Sequence, residues 1–263
     1  MSRRLLNFLL PLGTGVLMVG IWYAIRHGLS EDMKFLLPTP DEIWAALAAN
    51  SESLSRATLN TTKGAVLGFG FAVVISFGLA LILSLSNLIR ASLYPYLMIL
   101  QMMPIIVIAP ILVLWVGAGL NSVVIITFLI CFFPLVVNTT QGLISTDRNL
   151  VELFRMYRAN RWQETFLLRV PAALPYFFTG LRIAAVLAPI GALVGDYTAG
   201  SSAGDGGGLG FQAIIYSSQA KYPALFATAA VTCVLGFVFA GGVHILSWLS
   251  LSKWHDSYHR SDT

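Results

Sequence analysis

The sequence predicts an all-α membrane protein with six spanning helices, and three observations carry that prediction. Apolar residues make up 57% of the 263 and charged ones only 11%, where an average soluble domain has roughly 45–50% and about 25%. A chain this poor in charge cannot cover a water-facing surface, so lipid must solvate much of it. Five segments, at 5–25, 64–85, 122–144, 176–194 and 225–251, reach the roughly 20 mostly apolar residues that a crossing helix needs. A sixth apolar stretch, at 93–116, is interrupted by Pro95, Pro104 and Pro110.

Lysine and arginine in the connections orient the spans. With the N-terminus inside, the inner pieces hold Arg3, Arg4, Arg90, Arg148, Arg155, Arg158, Arg161, Arg169, Lys253 and Arg260. The outer pieces hold only Arg26, Lys34, Arg56, Lys63 and Lys221. The bias sets both termini in the cytosol. The whole of 1–263 then reads as a single membrane domain.

The first span follows Met1-Ser2-Arg3-Arg4. It is longer than the apolar core of a secretion signal and lacks a small-x-small cleavage site, so it reads as a retained helix. Residues 26–63 form an outer segment, with a turn at Leu37-Pro38-Thr39-Pro40 and then an amphipathic helix. Asp41 suits the helix start and Glu42 the positive end of its dipole. The third span carries its prolines where each removes a backbone donor. Broken backbone at membrane depth needs protein or a watery cavity beside it, so this span lines something. Met102, Met103, Pro104 and Pro110 are the candidate pathway or gate residues there, and Met98 belongs with them. Soft thioethers beside a kink either fill a core or shape an apolar gate.

The loop at 145–175 is the most informative stretch. From Asp147, steps of 100° place Leu150, Leu153, Phe154 and Tyr157 on one arc, and Arg148, Glu152, Arg155 and Arg158 opposite. Arg161 would break the apolar arc, so the helix should stop near Asn160. A second amphipathic piece at 162–170 follows, and Pro171 and Pro175 lead into the fifth span. Two readings fit this helix: an interfacial helix on lipid headgroups, or a knob that inserts into a cytosolic partner. Arg182 lies about two turns into the fifth span, where a snorkelling side chain competes with a functional intramembrane charge. Asp196, at the outer end, reads first as a solvated carboxylate and second as a gate contact. The glycine-rich stretch in 197–224 reads as an outer loop. Gly68, Gly70, Gly78, Gly180 and Gly191 offer small surfaces for helix packing.

Several functions are excluded. No basic run supports nucleic acid as a partner. Cys131 and Cys233 read as small apolar residues, and the four histidines show no ligand spacing, so no metal is expected. No phosphate-binding GxxxxGK[ST] occurs, since no Lys-Ser follows the glycines at 200–210. No catalytic constellation lies among the spans, so the chain reads as a non-enzyme that binds no cofactor itself.

The run Glu152-Leu153-Phe154-Arg155-Met156-Tyr157-Arg158-Ala159-Asn160, followed by Val170-Pro171-Ala172-Ala173-Leu174-Pro175, resembles the EAA loop of bacterial ABC importer permeases. Leu153 and Phe154 replace the two alanines of that loop, and Arg158 stands where glycine is usual. Leu37-Pro38-Thr39-Pro40, Thr61 to Gly68, Pro104 to Gly117, Thr179-Gly180-Leu181-Arg182 and Gly208-Leu209-Gly210-Phe211 resemble further elements of the same family, in the same order. The resemblance implies the type I importer permease fold in an inner membrane and a homodimer. Each copy would dock one of two cytosolic ATP-binding subunits, which hold the ATP and Mg. An external binding protein would deliver the solute. The coupling residues it implies are Glu152, Leu153, Phe154, Arg155, Tyr157, Arg158, Ala159, Pro171 and Pro175. The subgroup it resembles handles nitrate, taurine, alkylsulfonates and thiamine or riboflavin precursors. The YRANRW run at 157–162 and Trp254-His255 lean toward its pyrimidine and riboflavin branch. The alternative is an ATP-independent secondary transporter, which would show inverted repeats and mid-span acids. Neither is visible. A lipid-modifying membrane enzyme would need clustered polar residues near an interface, which are also absent from the spans.

Overall fold

The computed structural model describes residues 3–200 and 207–251, and every regular element among them is helical. In order these are α1 (Arg3–Gly28), a 3-10 turn (Glu31–Leu36), α2 (Pro40–Ala49), α3 (Ser51–Leu85), α4 (Asn87–Met102), α5 (Ile105–Val116) and α6 (Leu120–Ile144). Then come α7 (Arg148–Met156), α8 (Arg161–Gln163), a π-helical stretch (Glu164–Arg169), α9 (Val170–Ala199), α10 (Leu209–Ser218) and α11 (Tyr222–Leu251). The expectation placed on Trp254-His255 lies outside the described residues.

The buried core is the packing of α3, α6 and α9, and missing side chains set its geometry. A β-carbon on Gly64 would fall 2.5 Å from Val123, and one on Gly68 would fall 2.5 Å from Thr127. Further along the same pair, the Ser76 hydroxyl donates to the Phe132 carbonyl at 3.1 Å. Rising numbers on α3 meet rising numbers on α6, so the two helices run parallel. α9 runs the other way: Gly195 sits on Val123, Gly191 on Thr127 and Gly180 on Asn138, while Gly142 of α6 meets Ala173 and Tyr176. Small residues let backbones approach closely where no water-driven force pulls helices together. Of the five glycines singled out in the sequence, Gly70 and Gly78 face open space instead.

Parallel α3 and α6 impose a topological consequence. The chain leaves α3 at one membrane face and must begin α6 at the other, so the connection from 86 to 119 crosses once. It does so as a broken pair, α4 and α5, bent by 97°. With the five helices long and apolar enough to cross alone, the crossings number six. Pro104 is the physical cause of the break. It lacks a donor, and it pushes Met103 to extended backbone (φ −68°, ψ 125°). Pro95 and Pro110 sit inside intact helices, so only one of the three prolines interrupts the span.

Three boundaries differ from the sequence reading. α3 begins at Ser51 rather than at 64. Its 35 residues span about 52 Å at 1.5 Å each, well beyond the ~30 Å apolar slab, so the turns bearing Glu52, Arg56 and Lys63 project outside. The piece expected at 162–170 runs unbroken into the fifth span, since one apolar helical unit covers Arg161–Ala199. Its π-helical stretch widens the turn just before Pro171, where a tight α-turn would press the ring on the preceding carbonyl. The outer stretch at 197–224 is not only loop, because it contains α10.

The outer end is tied by polar contacts. Thr39, not Asp41, caps α2. Its hydroxyl accepts from the Glu42 amide at 3.2 Å and the Glu42 carboxylate accepts from the Thr39 amide at 2.8 Å. Arg26 of α1 forks onto both Glu42 oxygens at 3.0 Å and donates to the Leu37 carbonyl at 2.6 Å. That guanidinium, first among the causes, holds the Glu42 carboxyl below the usual glutamate range. The Trp22 indole donates to the Pro38 carbonyl at 3.0 Å. The Trp22 ring also meets Phe226 of α11 edge-on, with centroids 5.7 Å apart, and most of the described apolar side chains of α1 are exposed.

The packing makes a paired prediction. Gly68→Ala must force α3 from α6 and should cost about 1–3 kcal/mol, lowering the melting midpoint in detergent. Gly70→Ala meets nothing and should be neutral or slightly stabilising, because alanine is the better helix former. Thermal unfolding of the two variants side by side checks this.

Candidate functional site

The loop between α6 and α9 projects from the end of the bundle that carries most of the arginines. Asp147 caps α7 as its sequence position predicts, accepting from the Asn149 amide at 2.8 Å. The helix ends at Met156, four residues before Asn160. The closure is a Schellman motif: Ala159 N–H donates to the Phe154 carbonyl at 3.0 Å and Arg158 N–H to the Arg155 carbonyl at 2.9 Å. That motif needs left-handed backbone at the residue after the cap, and Arg158 adopts it with φ +56°. Glycine is the residue that tolerates this conformation without cost, which explains why the family pattern has glycine there. A second cap starts at once, as Asn160 and Gln163 form a reciprocal capping box, each contact 2.8 Å.

One face of α7 is uncovered. Leu150 and Leu153 are nearly half exposed, and Met156 and Tyr157 are each 81% exposed. Phe154 is half-buried, while Glu152 and Arg155 face solvent. Val151, unremarkable in the sequence, is the buried residue that seats the helix on the rest of the chain. Ala159 is half-buried, Pro171 is exposed at the start of α9 and Pro175 lies half-buried one turn on. The predicted coupling residues therefore divide. Leu153 and Tyr157 form the outward apolar patch together with Met156, which was not among them, and Glu152 and Arg155 lie beside it; Pro171 and Pro175 shape the helix behind.

Behind α7 lies a groove of about 790 Å³ whose lining includes Ser84, Arg90, Arg155, Arg161, Glu164 and Arg169. Glu164, which sequence reasoning missed, is only 9% exposed. It pairs with Arg169 of the π-helical stretch and faces Arg155 of α7 at 3.7 Å. An acid five residues before a base, at the foot of an apolar run, was the available signal.

The candidate pathway residues lie apart from this loop. Met102, Met103, Pro104 and Pro110 are exposed on the surface of this single chain, around the break. Arg182 is half-buried in α9. Asp196 is not solvated, as first expected, but buried with 4% exposure. Thr61, also missed, donates its hydroxyl to Asp196 at 2.5 Å and accepts from the Leu209 amide at 2.8 Å. The Gly210 amide donates to the same carboxylate, so Asp196 and Thr61 together cap α10 from outside. A β-carbon at Gly208 would overlap that carboxylate, and one at Gly210 would press on the Leu193 carbonyl. The Gly208-Leu209-Gly210 element is therefore room made for an acid. Cys131 is buried and donates to the Ala184 carbonyl at 3.4 Å, while Cys233 is exposed. Among the described residues no cluster of metal-ligating side chains occurs.

An apolar helical bundle with up to six crossings and an amphipathic, arginine-rich knob at one end marks a polytopic membrane protein. Residues 64–247 match the family described as the binding-protein-dependent transport system inner membrane component, and the chain belongs to that family. It is a multi-pass protein of the inner membrane. It is similar to the formylaminopyrimidine transport permease ThiX of Halalkalibacterium halodurans, at 38% identity over 85% of this chain and 87% of that one. It is also similar to the riboflavin transport system permease RibX of Chloroflexus aurantiacus, at 36% identity over 93% and 89%. The taurine transport permease TauC of Escherichia coli stands further off, at 24% identity over 94% and 90%.

The strained cap yields a prediction. Arg158→Gly removes a side chain from left-handed backbone and should stabilise the folded chain by about 1 kcal/mol. A rise of a few degrees in the unfolding midpoint would show it.

Proposed function

We propose that this chain is the translocating subunit of an ATP-binding cassette importer for a small heterocyclic solute of the pyrimidine or riboflavin class. The observation that carries the importer reading is the uncovered face of α7. An apolar patch on a short helix, held at both ends by tight caps, fits a groove in a cytosolic protein better than it fits water. Two ATP-binding subunits, holding ATP and Mg, would each grip one α7, with Glu152, Leu153, Phe154, Arg155, Tyr157, Arg158 and Ala159 at the contact. The chain itself performs no hydrolysis in this reading and binds no cofactor.

A second copy of the chain completes the pathway. The break at Met103 and Pro104 lies at membrane depth, yet its own chain leaves it exposed, and broken backbone needs protein or water beside it. A partner copy supplies that cover along the α4–α5 face. Met102, Met103, Pro104 and Pro110 would then line or gate the axis, with Arg182 behind them on α9. Asp196 contributes by holding α10 at the outer mouth, where an external binding protein releases its cargo. The solute class rests on the higher identity to the pyrimidine and riboflavin permeases than to the taurine one.

The test is a single exposed residue. Leu153→Arg should leave membrane insertion unchanged while copurification of the co-expressed ATP-binding subunit falls at least tenfold, a loss of about 1.4 kcal/mol or more. Undiminished copurification would remove α7 from the contact.

A further inference from the structure

Glu164 is the buried charge at the cytosolic end of the described residues. A carboxylate taken out of water needs cations and hydrogen bonds to compensate. One partner, Arg169, lies on its own helical stretch and the other, Arg155, lies on α7. Oε1 accepts from Arg169 Nε at 2.8 Å and from a second Arg169 nitrogen. Oε2 faces Arg155 Nε on α7 at 3.7 Å. Arg169 also reaches the Leu143 carbonyl at 3.4 Å, among the last carbonyls of α6. Those carbonyls lack intrahelical partners and carry partial negative charge, so the cation is well placed there.

Glu164, itself part of the helical unit Arg161–Ala199, faces α7 through Arg155, and its partner Arg169 reaches the end of α6. Val151 is the buried side chain of α7, and Phe154 is half-buried. A buried apolar contact resists separation but has no direction, whereas the Arg155–Glu164 ion pair, at 3.7 Å, adds an attraction along one line between α7 and the helical unit that carries Glu164. We propose that Glu164 is the positioning residue that transmits movement of α7 into the spans. In this arrangement a displacement imposed on α7 passes through Arg155 to Glu164, and through Arg169 to α9 and α6. Without the carboxylate, α7 swings about Val151 and the spans stay behind. The proposal rests on α7 being the handle of the ATP-binding subunit.

The test uses the complex of this chain with its co-expressed ATP-binding subunit in lipid nanodiscs. A spin label at Tyr197→Cys, in a Cys233→Ser background, reads the distance between the outer ends of the two α9 helices before and after trapping with ATP and vanadate. Tyr197 is exposed, and Cys131 is buried. The parent complex should change this distance on trapping. Glu164→Gln should lose at least half of that change at equal nucleotide occupancy, and Glu164→Asp should recover part of it. At equal retention of the ATP-binding subunit, which Arg155 also faces in the proposed contact, Arg155→Gln should lose as much as Glu164→Gln, and the double variant should lose no more than either single one, since both cut the same link. Arg155 is solvent-exposed and its removal leaves Glu164 paired with Arg169, so this arm does not depend on Glu164→Gln folding. A full change in Glu164→Gln, or additive losses in the double variant, overturns the proposal. A parent complex that fails to bind the subunit, or does not move on trapping, overturns the reading of α7 and this proposal with it.

Discussion

Backbone-to-backbone contact between α3, α6 and α9, made where side chains are missing, governs the rest of the fold. With glycines at 64, 68, 191 and 195 pressed on Val123 and Thr127, α6 is held parallel to α3 and antiparallel to α9. Lipid gives no hydrophobic reward for joining helices, so dispersion across a close contact must supply the energy, and only small residues permit it. The parallel pair then dictates that the connection between its members cross the membrane. Among the described residues that connection is the bent pair, and its Met102, Met103 and Pro104 are exposed.

The two ends of this core are finished in different ways. At the outer end the fastening is rigid and buried: Asp196, Thr61 and the amides of Leu209 and Gly210 close on one another with no space for a β-carbon at Gly208. At the cytosolic end the fastening is charged and partly exposed. α7 is seated by one valine, capped tightly at both ends, and linked to the spans by a carboxylate between two arginines. A stiff outer collar and an articulated inner handle are what a machine driven from the cytosol requires. In the proposed reading a cytosolic partner would act on the inner end while the buried outer end holds α10 in place.

Much of this was legible in the sequence, for identifiable reasons. Span number and orientation follow from apolar run length and arginine placement, because lipid enforces both. The loop helix followed from its period and from Asp147. The stop of α7 did not, because left-handed backbone at a non-glycine residue such as Arg158 leaves no pattern; only the family's glycine at that position hinted at it. The early start of α3 was hidden because its first turns, bearing Glu52, Arg56 and Lys63, are helical yet polar. Glu164 and Thr61 were missed because their importance lies in partners far along the chain, 135 positions away in the case of Thr61 and Asp196. Likewise Gly70 and Gly68 are indistinguishable in sequence, and only the facing helix separates a contact from a lipid-exposed position.

The most direct test of the account asks which side of the membrane α7 occupies and what covers it. A Met156→Cys variant in a Cys233→Ser background would be treated with a membrane-impermeant maleimide in intact spheroplasts and in inside-out vesicles. The account predicts no labelling from outside, full labelling of inside-out vesicles stripped of the ATP-binding subunit, and protection when that subunit is restored. Labelling in intact spheroplasts, or labelling indifferent to the subunit, would contradict it.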